Sequence, residues 1–235
     1  MRRQVWTLAL NIASFGNERS LHSAVKNWIA MPGDKFEVEV DGFIVDIVRD
    51  DLLIEVQTRN FSAIREKLCS LVEKHRVRLV YPIAKRKRIV YVDKTRGSPM
   101  KRRLSPKKGM LIDVFDELVR IPRLVKEENF ELEVLMVEEE EVRCNDGRGS
   151  WRRRGVSIKD HNLKKVVDST IFRCINDFLC FLPDTLAQPF TSKQLAECLG
   201  ISLRLARRMT YSLREMGALQ VTGKTGRALL FKVSV

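Results

Sequence analysis

The sequence predicts an α/β protein in which a mixed sheet flanked by helices is followed by a smaller second domain. Three observations carry this. Residues 18–92 run helix, three strands, helix, strands by hydrophobic periodicity. The central strands are apolar on one face and largely apolar on the other, as in a sheet covered on both sides. Past residue 158 the pattern becomes helical and closes on a hairpin.

The first element is a helix over Glu18 to Ala30, with Leu21, Val25, Trp28 and Ile29 at helical spacing and Pro32-Gly33 to stop it. Strands follow at Lys35 to Val40, Phe43 to Val48 and Leu52 to Thr58. They are separated by Asp41-Gly42, a strong hairpin signal, and by an Asp50-Asp51 turn. A helix over Phe61 to Lys74 and strands over Val77 to Ile83 and Arg88 to Val92 come next.

From Ala84 to Lys108 there are eleven Lys or Arg and one Asp, read as a basic loop that either stays solvated or meets phosphates. Within it, Lys101, Arg102 and Arg103 are taken as candidate DNA contacts. A helix over Lys107 to Arg120 and a strand around Leu132 to Val137 follow. Glu127 to Glu141 holds eight acidic residues and no basic one, which reads as a solvated surface offsetting part of the basic loop. Residues 143–157, with Asn145-Asp146-Gly147 and Arg152-Arg153-Arg154, read as a basic hinge between domains at 1–142 and 158–235.

In the second domain, Val166 to Leu182 reads as an apolar helix. Thr191-Ser192-Lys193-Gln194 matches a capping box, Gly200 ends that helix, and Ser202 caps the next. Leu205, Met209, Leu213 and Met216 form the buried stripe of this last helix. Arg204, Arg207 and Arg208 are left clustered on its outer face. A hairpin from Leu219 to Val233 offers Lys224 and Arg227 at its tip.

Counting outward from Asp50-Asp51 sets Asp46 opposite Glu55, with Gln57 on the same face. Two carboxylates meeting in a partly apolar setting repel, so something cationic belongs between them. Lys26, Arg59 or Arg65 would make it an ion pair; a divalent metal would make it a hard-oxygen site.

Composition narrows the partners. The 235 residues are 44% hydrophobic, enough for a sizeable core, and the net charge is +13. That balance favours a polyanion: nucleic acid first, an anionic membrane surface second, although no long amphipathic basic helix stands out. Uncharged runs are too short to span a bilayer. Met1-Arg2-Arg3 and the apolar run from Val5 to Leu10 imitate a signal peptide, but Asn11 interrupts it and no small-residue cleavage site follows. Five scattered cysteines without a Cys-x-x-Cys pair suit reduced thiols, so a cytoplasmic protein is expected. Only three histidines are present, too few to suggest a zinc cage.

Glu18, Asp46 and Glu55-Val56-Gln57, in that element order, resemble the PD-(D/E)XK nuclease superfamily over residues 15–92. The last third of the chain resembles a winged helix-turn-helix. The first resemblance implies a restriction-endonuclease-like fold in which Asp46 and Glu55 hold magnesium, with manganese as a substitute. Glu18 would be an additional acidic residue, and Gln57 would take the place usual for a lysine. A neutral amide can orient water or a phosphate oxygen but supplies no charge; some restriction enzymes of the superfamily are similar in carrying Glu-x-Gln. The expected activity is a magnesium-dependent DNA endonuclease delivered to duplex by the winged helix. Cutting both strands would take a homodimer or two binding events. The alternative is a catalytically inactive DNA-binding regulator on the same fold. An RNA-processing nuclease is a third reading, on which the sequence is silent.

Overall fold

A computed structural model describes residues 20–94 and 98–234; Glu18 and the signal-like N-terminal run lie outside the described residues. The elements are α1 (Ser20–Ile29), β1 (Lys35–Val40), β2 (Phe43–Arg49), β3 (Leu52–Val56), α2 (Arg65–Val72), β4 (Arg76–Val92) and β5 (Pro99–Leu104). After these come α3 (Phe115–Leu118), β6 (Phe130–Asn145), β7 (Val156–Phe172), α4 (Ser192–Leu199), α5 (Leu203–Met216), β8 (Leu219–Thr225) and β9 (Ala228–Val233).

Seven strands form one mixed sheet in the order β1-β2-β3-β4-β6-β7, with β5 on the distal half of β4. The strands β1 to β3 are an antiparallel meander, β3 and β6 both run parallel to β4, and β7 is antiparallel to β6. The first turn behaves as its sequence demands: Asp41 and Gly42 both take positive φ, 50° and 82°, the pairing that closes a two-residue hairpin.

Helix α1 covers one face. Leu21, Val25 and Ile29, spaced four apart, pack on Ile47, Ile54, Val56, Val80 and Leu135. The opposite face carries α2 through Leu68, Leu71 and Val72. It continues without a break into the C-terminal part through Phe115, Phe178, Leu205, Met209 and Leu213. Each such side chain contributes roughly 1.5–3 kcal/mol by leaving water. No helix among the described residues is long and apolar enough to cross a membrane.

Several expectations are corrected. Val166 to Leu182 is not a helix: Val156–Phe172 is a strand paired along its length with β6, and Ile175–Phe181 is a 3-10 turn. Pairing with β6 decides against the helical spacing of its apolar residues. Residues 143–157 are correspondingly the closing end of the β6–β7 hairpin and not a hinge, so the sheet extends through Phe172. The helix expected over Lys107 to Arg120 shrinks to a 3-10 turn at Leu111–Val114 and the single turn of α3.

The acidic run is corrected as well. It lies in β6, in the middle of the sheet, with Glu131, Glu133, Glu139 and Glu141 buried. Such burial stands only if each charge is paired, and Lys87 of the basic run pairs with Glu139 and Glu141. Arg86, Lys87 and Arg88 stand in register with Glu138, Glu139 and Glu140, while Arg78 Nη2 lies 2.6 Å from Glu131 and its Nη1 3.3 Å from Glu133. The two strands expected over 77–92 are one, β4, with an irregularity at Ala84/Arg86.

After β7, Thr191 caps α4 as expected: Gln194 N donates to Thr191 Oγ1 (3.3 Å) and Thr191 N to Gln194 Oε1 (2.8 Å). Gly200 ends α4 at φ 63°, and Ser202 Oγ caps α5 by accepting from Leu205 N at 3.2 Å. The β8–β9 hairpin folds back on this helix pair, with Phe231 bridged to Phe190.

Candidate functional site

The register between β2 and β3 is the one obtained by counting from the turn: Arg49 pairs with Leu52, Val48 with Leu53, Ile47 with Ile54. There the backbone ladder stops. The next residues, Asp46 and Glu55, bridge the parting strands with their side chains. Asp46 N donates to Glu55 Oε1 (3.3 Å) and Val56 N donates to Asp46 Oδ2 (2.8 Å). Glu55 is 4% exposed and Asp46 is partly buried. The two carboxylates are therefore brought together in a cleft between strands.

Both flanking helices send basic side chains into it. From α1, His22 Nε2 lies 3.2 Å from Asp46 Oδ2, and Lys26 Nζ lies 4.0 Å from Oδ1 while also pairing with Glu37. From α2, Lys67 Nζ pairs with Glu55 Oε1 and donates to Ile44 O at 2.6 Å. Lys26 was among the cations expected; His22 and Lys67 were missed. Spacing could have found His22, which sits four residues before Lys26 on the same face of α1, whereas nothing near Lys67 in the sequence ties it to Glu55.

These cations do not satisfy the pair. Burial raises the Glu55 carboxyl and the neighbouring Asp46 charge raises it further, to about 7, although Lys67 and the Asp46 amide pull the other way. Among the described residues every bond to Glu55 falls on Oε1, which leaves Oε2 free for a ligand, and Asp46 Oδ1 has only the distant Lys26. Asp46 and Glu55 are hard-oxygen ligands of the kind a divalent ion such as magnesium takes, and an ion there would share them with Lys26 and Lys67.

Gln57 sits at the end of β3, its backbone N donating to Val80 O (2.9 Å) and its Nε2 to Asn60 O (3.1 Å). Its side-chain donor is thus turned to its own loop. Glu18 lies outside the described residues.

A second acidic group, unforeseen in the sequence, contrasts with the first. Ligand atoms of Glu139, Glu141 and His161 lie within 4.8 Å of one another beside a cavity of about 430 Å³ that also reaches Arg59 and Tyr81. Lys87 Nζ already stands 2.8 Å from Glu139 and 3.3 Å from Glu141, and Arg143 pairs with Glu141. Burial pushes Glu139 up, but His161 and Lys87 outweigh it and hold the group below its ordinary range. This is a closed charge network in which each carboxylate has two basic partners, whereas Glu55 has Lys67.

The basic surfaces fall in three places. Arg204 and Arg207 are exposed on α5, but Arg208 is not beside them in role: its Nη1 pairs with the Asp116 carboxylate and reaches the Asp116 carbonyl at 3.2 Å, tying α5 to α3. Arg207 instead shares a cleft of about 440 Å³ with Lys193, Tyr211, Arg214 and Arg227, of which Lys193, Tyr211 and Arg214 were not anticipated. Lys224 and Arg227 are exposed near the β8–β9 turn. Lys101, Arg102 and Arg103 are exposed on β5, a strand where a loop was expected.

Comparison with known proteins adds a family. The model of a domain of unknown function, DUF8091, matches residues 19–173, ending where β7 ends. A protein of Treponema pallidum (strain Nichols), described as uncharacterized, is 31% identical over 217 residues, which is 92% of this chain and 85% of the relative. No solved structure matches the chain. A family match over most of the sheet and a relative of such coverage place the chain in one family: it belongs to the DUF8091 domain family.

Proposed function

We propose that the chain is a magnesium-dependent DNA endonuclease, with a restriction-endonuclease-like sheet of the PD-(D/E)XK type and a C-terminal winged helix that brings it to duplex. The observation that carries this is the Asp46 and Glu55 pair, set in a cleft where β2 and β3 part, with a lysine from each covering helix. The element order α1-β1-β2-β3-α2-β4, with β4 parallel to β3, supports the nuclease-like core. The helix, turn, helix and hairpin of α4, α5, β8 and β9 support the winged helix.

Asp46 and Glu55 would hold the ion. When bound, magnesium would lower the pKa of a water and neutralise charge on the phosphate. Glu55, raised to about 7, must give up its proton as a cation arrives, so cation affinity climbs with pH through that range. Lys67, paired with Glu55, would supply the positive charge that Gln57 lacks. Gln57, its Nε2 held by Asn60 O, keeps its Oε1 for orienting a water. Arg204, Arg207, Lys224, Arg227 and the β5 triplet would neutralise DNA phosphates.

Gln57 also favours a second reading, a DNA-binding regulator without catalysis, because its side-chain amide is engaged by its own loop. Incubating plasmid and branched DNA with the protein, in magnesium, manganese or chelator, separates the two. Metal-dependent cutting that Asp46→Ala abolishes supports the nuclease; DNA binding without cutting in any metal supports the regulator.

A further inference from the structure

The closing end of the β6–β7 hairpin carries Trp151 with 83% of its surface exposed, the most open of the large apolar side chains among the described residues. An indole left in water has not found its partner within the fold. Around it, Arg148, Arg152, Arg153 and Arg154 are all exposed. Arg152 lies over one face of the ring, its Cζ 5.5 Å from the centroid, which leaves the other face open.

The tip is a built structure. Gly149 N donates to Gly155 O (3.0 Å), Arg153 N to Ser150 O (2.9 Å) and Arg154 N to Trp151 O (3.0 Å), so the turn that presents the indole is closed by its own backbone. Gly149 is required there, since a Cβ would fall 1.9 Å from Val156 O. The local acid, Asp146, is consumed within the turn by Ser157 Oγ (2.9 Å) and Lys159 Nζ (2.6 Å). What remains facing solvent is cationic and aromatic.

Register puts a second basic element beside it. Tyr91 of β4 pairs with Lys101 of β5 on one side and with Arg143 of β6 on the other, so the exposed Lys101, Arg102 and Arg103 lie at the same end of the sheet as the tip.

We infer that this tip is a nucleic-acid contact of its own, in which Trp151 stacks on an unpaired base while the surrounding arginines and the β5 triplet hold the adjoining phosphates. The inference rests on the proposed DNA-binding reading and narrows its substrate. Stacking needs an exposed base face, and inside an intact duplex both faces of every base are covered. The contact therefore selects single strands, or duplexes with bulged or mispaired bases, over perfect duplex. Net charge of +13 favours this polyanion throughout the chain.

The test is fluorescence anisotropy with the full chain, in chelator so that nothing is cut, on three labelled DNAs: a single strand, a duplex with a two-base bulge and the same duplex fully paired. Wild type should favour the first two. Trp151→Ala should weaken those two about 10-fold, the scale of one base–aromatic stack, and the paired duplex less than about 2-fold. Trp151→Phe should recover most of the loss. Circular dichroism melts should be unchanged, because the side chain touches little of the fold.

Equal binding of all three DNAs by Trp151→Ala and wild type overturns the inference, as does an equal loss on all three. So does Trp151-dependent binding to phosphatidylserine vesicles with no loss on DNA, which would assign the tip to a membrane surface. Trp151-dependent binding without magnesium-dependent cutting defeats the nuclease reading alone. Asp46-dependent cutting with Trp151-independent binding defeats the inference alone.

Discussion

Asp46 and Glu55 are joined through the backbone of one and the carboxylate of the other: Asp46 N donates to Glu55 Oε1 at 3.3 Å just where the β2–β3 ladder gives out. The two acids hold the strands apart and in turn are held together by them. Asp46→Ala should reduce magnesium-dependent cleavage of plasmid by more than roughly 100-fold, beyond the range seen for partners outside a metal's direct ligands, while gel-shift affinity is kept. Cleavage at the wild-type rate would remove the site from consideration.

The raised Glu55 carboxyl has a stability consequence with a definite sign. Its ordinary value is 4.5 and its folded value about 7, so between these the folded chain binds more protons than the unfolded one. Stability contributed by the protonated form is therefore complete below about 4.5 and lost as pH rises through 7. Glu55→Gln, which never ionises, should melt above wild type at pH 8, by on the order of 3 kcal/mol at most, with the gap closing towards pH 5. A gap that widens on acidification contradicts the assignment.

Arg207 and Arg208 are neighbours in sequence with different work. Arg207→Ala should weaken DNA binding and lower the slope of log affinity against log salt by about 1, the signature of one lost phosphate contact. Arg208→Ala should leave that slope alone and lower the melting temperature, because it frees α5 from Asp116.

Arg78 stands between two buried glutamates. Arg78→Ala leaves Glu131 and Glu133 without their shared cation in the middle of the sheet, a change that costs about 3–5 kcal/mol. Adding Glu131→Gln and Glu133→Gln should restore much of the loss, as read by urea denaturation.

Ser212 is fully buried on α5, and its Oγ finds no partner among the described residues. Ser212→Ala should stabilise the protein by up to about 1 kcal/mol, since it removes an unsatisfied hydroxyl and improves helix propensity. A clear drop in melting temperature would show that the hydroxyl is bonded in solution.

What could be read from the sequence was local. The α1 stripe, the Asp41-Gly42 hairpin, the pairing of Asp46 with Glu55 and the Thr191 and Ser202 caps depend on residues within about ten positions of one another, and each was found as expected. What failed was long-range. Glu131 belongs to the core because Arg78, 53 positions earlier, stands beside it, and nothing near Glu131 announces that. Val166 to Phe172 became a strand because β6 was there to pair with it. Lys67 reached the acidic pair because α2 packs over the meander, which no spacing rule specifies by itself.

Phe172, at the last position of β7, is stacked on Phe178 with centroids 4.5 Å apart, and both rings lie in the cluster that includes Phe115 and Leu205. The matched family segment ends at residue 173, one position past Phe172 and five short of Phe178. A fragment cut there would carry half of an aromatic stack into water, along with the floor on which α5 rests. Such a truncation should be sticky and should self-associate, and the shortest piece that behaves well in a tube will reach through the β8–β9 hairpin.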